Sequence, residues 1–104
     1  MEDAGIIDDA MKFLEKLRNM PVTIKFTKKD RSVRLMKCTL DFDLIPKGDK
    51  PKSVNIPKIM GLIRNSNIIH VYDLEKKGWR SVPFTKVEWL ETNDNKRYRM
   101  RIKG

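Results

Sequence analysis

The stretch Asn67 to Phe84, NIIHVYDLEKKGWRSVPF, decides the fold. Two runs rich in β-branched and aromatic residues flank a polar connection that ends in glycine, Glu75-Lys76-Lys77-Gly78. That pattern predicts a β-hairpin. A loop of Lys76-Lys77 and one of Glu75 to Gly78 give the same register. Tyr72 then faces Ser81, Asp73 faces Arg80, Val71 faces Val82 and Ile69 faces Phe84. Side chains alternate between the two faces of a strand. Ile69, Val71, Val82 and Phe84 are therefore expected in the core, with Asp73 and Arg80 paired at the loop end. The other face carries Ile68, His70, Tyr72, Trp79 and Pro83 beside a lysine-rich tip, and is too aromatic for ordinary solvent surface.

A chain of 104 residues holds one domain, 1–104, with one modest core. Outward from the hairpin, Ile6, Ile7, Ala10, Met11, Leu14 and Leu17 recur at helical spacing and predict an amphipathic helix over 3–19. Asp3 is its expected cap, Pro21 its stop, and its apolar stripe is expected to cover an open end of the sheet. Val22, Ile24 and Phe26 alternate with Thr23, Lys25 and Thr27, which predicts a strand. Lys28 to Arg31 read as a turn and Ser32 to Leu40 as a longer strand. Both faces of that strand are partly apolar, as in a bent strand shared by two sheet layers. Residues 41–65 form an irregular insertion with three of the five prolines. Within it, 41–46 predict a helical turn, Lys47 to Lys52 a basic loop and Ile56 to Ile63 a short helix. Val87 to Leu90 then form a short strand, Thr92 to Asn95 a turn, and KRYRMRIK (96–103) the last strand. The fold class is mainly β: a small barrel of five to six antiparallel strands over 22–102 with an N-terminal helix.

The formal net charge is +9, which favours an anionic partner: nucleic acid, an acidic protein surface or anionic lipid. The alternative is a small protein kept dispersed by its lysines. Residues 1–20 carry net −2, 21–65 net +7 and 66–104 net +4, so the positive charge belongs to the sheet and its loops. In the last strand Arg97, Arg99 and Arg101 alternate with Tyr98, Met100 and Ile102. Their spacing of about 6–7 Å, two residues' rise along a strand, is close to the phosphate repeat of an extended single strand. Basic residues on an edge strand also guard against edge-to-edge aggregation.

Signals for catalysis are missing. His70 is the sole histidine and Cys38 the sole cysteine, so the sequence offers no zinc-ligand cluster and no disulfide framework. Cys38 reads as a small buried hydrophobe, and His70 as a packed residue rather than a general base. P-loop, dinucleotide and nucleophile-elbow patterns are absent. The chain is not expected to be an enzyme or to hold a cofactor or metal. No stretch approaches the length of a membrane span, and no basic leader precedes an apolar run. A cytoplasmic location is the expectation.

Phe26-Thr27-Lys28-Lys29 leading to Arg34-Leu35-Met36-Lys37-Cys38-Thr39-Leu40 and Leu44-Ile45-Pro46 is one string that carries a resemblance. Val71-Tyr72-Asp73-Leu74-Glu75-Lys76-Lys77-Gly78-Trp79-Arg80-Ser81 is the other. Together they resemble a WYL-like family of short bacteriophage and bacterial proteins with an Sm-like SH3 β-barrel fold. The resemblance covers roughly 22–90. It implies the barrel, a phage origin, and nucleic-acid or nucleotide-like ligands with a regulatory role. Sm-type barrels often form rings, so the resemblance admits a homo-oligomer.

Two functional expectations follow. In the first, the chain binds RNA or single-stranded DNA. Arg97, Arg99, Arg101, Lys76 and Lys77 meet phosphates, Tyr72 and Trp79 stack bases, Trp89 is a second stacking candidate, and Arg80 contacts phosphate as a secondary member. In the second, the same cations meet an acidic surface on a host protein, such as a transcription subunit or defence factor, with Tyr72 and Trp79 as anchors.

Overall fold

Val22, Ile24 and Phe26 are buried and alternate with the partly exposed Thr23, Lys25 and Thr27 along β2 (Val22–Thr27). This period-2 burial places β2 in the middle of a sheet with one face on the core. The computed structural model describes residues 2–48, 50 and 55–101. In chain order the remaining elements are β1 (Glu2–Ile7), α1 (Ala10–Asn19), β3 (Val33–Thr39), a 3₁₀ turn (Phe42–Leu44), α2 (Ile56–Ser66), β4 (Ile68–Asp73), β5 (Gly78–Pro83), a second 3₁₀ turn (Phe84–Lys86), β6 (Val87–Thr92) and β7 (Lys96–Met100). One seven-stranded sheet has the order β1-β7-β6-β2-β3-β4-β5. Every neighbouring pair is antiparallel except β1 and β7.

The helix expected over 3–19 begins only at Ala10. Asp9, not Asp3, caps it, accepting the Met11 N–H at 2.8 Å. Residues 2–7 are instead a strand alongside β7. Ile6 is 54% exposed and Ile7 only 3%, the opposite-face alternation of a strand. Gly5 has φ +132°, a backbone that only glycine adopts without strain and that no α-helix contains. From Ala10 the helical spacing holds in part: Leu14 and Leu17 are buried as expected, Met11 is 48% exposed, and Phe13, not among the expected stripe residues, is buried instead. Each fully buried side chain contributes about 1.5–3 kcal/mol. Phe13 meets Phe84 edge to face at 5.4 Å, and the Lys16 ammonium lies 4.8 Å above the Tyr98 ring. The stripe thus covers the sheet, as its pattern predicts.

The hairpin forms, but its register differs by two residues. Tyr72 faces Trp79, Val71 faces Arg80, Asp73 faces Gly78 and Ile69 faces Val82. The loop is therefore Leu74 to Lys77, with Lys77 left-handed at φ 55°. Asp73 sets this register: its buried carboxylate accepts the N–H groups of Glu75 and Lys76, each at 3.0 Å. The expected Asp73–Arg80 pair does not form. Asp73 instead binds Arg34 of β3, at 2.5 Å. A slip of two residues preserves the side-chain faces, so Ile69, Val71 and Val82 are buried as expected. Phe84 leaves the strand for the 3₁₀ turn and still packs on the core.

Around the insertion, Asn55 caps α2 by accepting the Lys58 N–H. Asn67 ends it in a left-handed conformation and clasps the 3₁₀ turn through Thr85, accepting its N–H at 2.9 Å and donating to its hydroxyl at 2.7 Å. The basic loop expected at 47–52 falls partly, and the end of the last strand at 102–103 wholly, outside the described residues. The last strand is not an edge: β7 lies between β1 and β6. β3 pairs with β2 along its length but with β4 only at Cys38 and Thr39, consistent with a strand shared between two parts of the sheet.

Candidate nucleic-acid interface

The structure separates the eight residues expected to form one site. Tyr72 is 1% exposed and packs edge to face against Trp79, 5.6 Å between centroids. Trp79 is half-buried against the core. Tyr72 therefore offers no open ring face for a base, and only part of Trp79 is accessible, although His70 and Ser81 on the same hairpin face are exposed. Lys76 and Lys77 stand exposed at the hairpin tip. Arg97 lies on the outer sheet face, its guanidinium 3.9 Å over the Trp89 ring and 3.3 Å from the Glu91 carboxylate. Arg99 and Arg101 are exposed. Arg99 sits between Ile6 and Trp89 in the sheet, while the Arg101 N–H donates to the Ile7 carbonyl. Arg80 curls back, donating to the Trp79 carbonyl at 2.9 Å.

Arg80 shares its surroundings with cations that the sequence alone does not single out. Phe26, Pro83 and Ser81 floor a groove of about 360 Å³ whose charged lining is Lys28, Lys29, Arg34 and Arg80. A second concavity of about 270 Å³ shares Lys28, Lys29 and Pro83, and adds Arg31 and Lys86. No acidic side chain lines either one among the described residues. The six cations come from three separate parts of the chain: the β2–β3 turn with the start of β3, the edge strand β5, and the second 3₁₀ turn.

Local chemistry fixes this arrangement. The β2–β3 turn closes with the Lys28 N–H on the Ser32 carbonyl and the Arg31 N–H on the Lys28 carbonyl, at 2.8 and 2.9 Å. Arg31 takes the left-handed position, φ 72°. Asp30, the acid of this turn, accepts from the Ser32 hydroxyl and N–H, which hold its carboxyl below the ordinary carboxylate range. Arg34 is oriented by Asp73. Burial alone raises the Asp73 pKa; the N–H groups of Lys76 and Glu75 and the Arg34 guanidinium outweigh it, so the carboxyl stays below its ordinary value. The groove therefore holds Arg34 fixed by Asp73, with Arg80 and the exposed Lys28 and Lys29 beside it, a combination suited to phosphate oxygens.

Elsewhere the chemistry is quiet. His70 is exposed, with Nδ1 3.0 Å from the Ser81 hydroxyl, so it is not the packed residue the sequence suggested. Cys38 is buried, and burial, with the nearby Asp73 carboxylate, pushes its thiol pKa far up. The described residues contain no group of three or more metal-ligating side chains. No helix among them is long and apolar enough to cross a membrane.

Neither curated proteins nor solved structures returned a match to the chain. A family match spans residues 10–86, from α1 through the second 3₁₀ turn, and so takes in every cation of the groove. β1, β6 and β7, with the Arg97/Arg99 row, lie outside it. Within the match, β2, β3, β4 and β5 are consecutive in the sheet, and the match is described as an Sm-like SH3 beta-barrel fold. The chain belongs to the family described as WYL_2, Sm-like SH3 beta-barrel fold.

Proposed function

We propose that this protein binds nucleic acid, RNA or single-stranded DNA, in a non-catalytic regulatory role, with the groove between the β2–β3 turn and β5 as its phosphate site. One observation carries the reading: Lys28, Lys29, Arg34 and Arg80 line one concavity, and Arg31 and Lys86 extend it, with no acid in either lining among the described residues. A concave row of cations suits the backbone of a strand that can enter the groove, whereas a duplex presents its phosphates on a convex surface. Arg99 and Arg101 on the outer sheet face are secondary members that add long-range attraction.

The test is fluorescence anisotropy with labelled oligo-U, oligo-dT and duplex DNA over a range of salt. For four groove cations the log–log slope against salt is expected near about −3 for a single strand. The double substitution Lys29→Glu/Arg80→Glu removes most of the affinity and flattens that slope, and Arg99→Glu/Arg101→Glu has the smaller effect. No binding at low salt, or equal losses from the two pairs, overturns the groove assignment.

A further inference from the structure

β3 is longer than the hairpin beside it. β4 ends at Asp73, opposite Cys38, and the chain turns away at Leu74, whose N–H takes the Lys37 carbonyl at 2.9 Å. β3 therefore overshoots the hairpin by the four residues Val33 to Met36, which have β2 on one side and no paired strand on the other among the described residues. In an antiparallel ladder, successive residues aim their backbone groups to opposite sides. Counted from the Lys28 N–H to Ser32 carbonyl bond, Arg34 and Met36 bond toward β2, while Val33, Leu35 and Lys37 point away. The bond from Leu74 to the Lys37 carbonyl agrees. The N–H and C=O groups of Val33 and Leu35 thus form an open ladder edge.

The side chains along this edge are not those of a protected one. Val33 is 59% and Leu35 58% exposed, adjacent on the outer face with no charge between them on that face. On the opposite face Arg34 is held by Asp73 at the basic groove. Lys76 and Lys77 sit at the hairpin tip, where the vacant lane begins. Natural edges are usually blunted by charge or covered; this one is apolar on one face and cationic on the other.

We infer that the Val33–Met36 edge is a strand-addition site for an extended segment of a partner protein whose side chains alternate apolar and acidic. Such a segment continues the lane of β4. Its backbone completes the ladder at Val33 and Leu35, its apolar side chains cover those two residues, and its carboxylates face Arg34 and the groove lysines. A second copy of this chain is a poor occupant, because an antiparallel β3–β3 pair centred on Arg34 sets Arg34 against its own counterpart and Lys37 against Arg31, and one centred on Leu35 sets the Lys37 charge against Val33. The strand-addition contacts, the amides and side chains of Val33 and Leu35, do not depend on the nucleic-acid reading, whereas Arg34 and the groove lysines are shared with it.

The experiment is amide hydrogen exchange on the labelled full chain, with and without a capped peptide of about eight alternating glutamate and valine residues. In the free protein the Val33 and Leu35 amides exchange fast. Saturating peptide slows both by at least about tenfold, while Arg34, bonded to β2, is unchanged. The matching lysine–valine peptide gives no protection. Leu35→Pro removes a donor that β2 does not use and weakens peptide binding by at least about tenfold. Leu35→Glu, which keeps the backbone donor, weakens it through charge, more so at low salt. Both variants retain oligonucleotide binding if the groove is the phosphate site. Slow Val33 and Leu35 exchange in the free protein, equal binding of the two peptides, or protection of these amides by oligonucleotide instead of peptide overturns the proposal.

Discussion

Asp73→Ala is expected to destabilise the fold by about 3 kcal/mol. The carboxylate has 0% side-chain exposure and accepts three hydrogen bonds, from Arg34 at 2.5 Å and from the Glu75 and Lys76 N–H groups at 3.0 Å. Hydrogen bonds to a charged group contribute about 1.5–3 kcal/mol each, which bounds the gross loss at roughly 5–9 kcal/mol. Most of that is recovered, because the two N–H groups lie at a surface turn and the Arg34 side chain, 25% exposed, rehydrates. The remainder falls at the low end of the roughly 3–5 kcal/mol found when one partner of a buried pair is removed. Urea unfolding measures it: with a slope near about 1.5 kcal/mol/M the midpoint falls by about 2 M. Arg34→Met keeps the apolar stem and leaves Asp73 its two turn donors, so it costs less, about 1–2 kcal/mol. The double variant then shows a coupling of about 1 kcal/mol or more. A loss below about 1 kcal/mol for Asp73→Ala, or strict additivity of the pair, refutes the account of Asp73 as the joint between β3 and the hairpin.

The same carboxylate imposes a pH dependence. Its folded pKa lies below its unfolded value, so its contribution is complete above the unfolded Asp value of about 4 and is lost as pH falls through the folded one. The difference in melting temperature between wild type and Asp73→Asn should therefore be full at neutral pH and shrink in acid; a gap constant with pH contradicts this. The Cys38 thiol, buried beside Asp73, should stay inert to a thiol reagent at mildly alkaline pH and react once urea unfolds the chain. Rapid stoichiometric labelling of the native protein contradicts that burial. Thr39→Val should cost about 1–2 kcal/mol. The buried hydroxyl accepts the Asp41 N–H at 2.9 Å and has the Leu17 and Met20 carbonyls within 3.1 and 3.2 Å, and valine fills the space without those bonds. A change within experimental scatter of zero in thermal unfolding shows that the hydroxyl does not tie α1 to β3.

What was legible from the sequence was local. The alternation of β2, the helical pair Leu14/Leu17 and the aliphatic face Ile69/Val71/Val82 each rest on spacing within a few residues. That last face survived a wrong register only because the error was two residues and the side-chain period is also two. The register itself hangs on Asp73, whose partner Arg34 lies 39 positions upstream and is invisible to any local rule. Ile6 and Ile7 fit a helical stripe as well as a strand, and what decided between them was a parallel partner at the far end of the chain. The basic groove was half legible. Lys28, Lys29 and Arg31 stand in an evident basic turn, but nothing in their spacing announces that coiling of the sheet sets them beside Arg80. Tyr72 and Trp79 suggested a stacking platform because alternation removes them from the aliphatic face. Tyr72 is buried all the same and Trp79 partly so, while His70 and Ser81 on that face stay exposed.

The parallel pairing of β1 with β7 bears on the order in which the sheet assembles. Each of β2–β3, β4–β5 and β6–β7 joins through a short turn and can close soon after its second strand is made. Residues 2–7 have no ladder partner until 96–100 exist, so their contact is the least local in the sheet and among the slowest to form. During synthesis the segment has to wait unpaired, with Ile7, later 3% exposed, in water. β1 is made before every other strand of the sheet and takes its place after them.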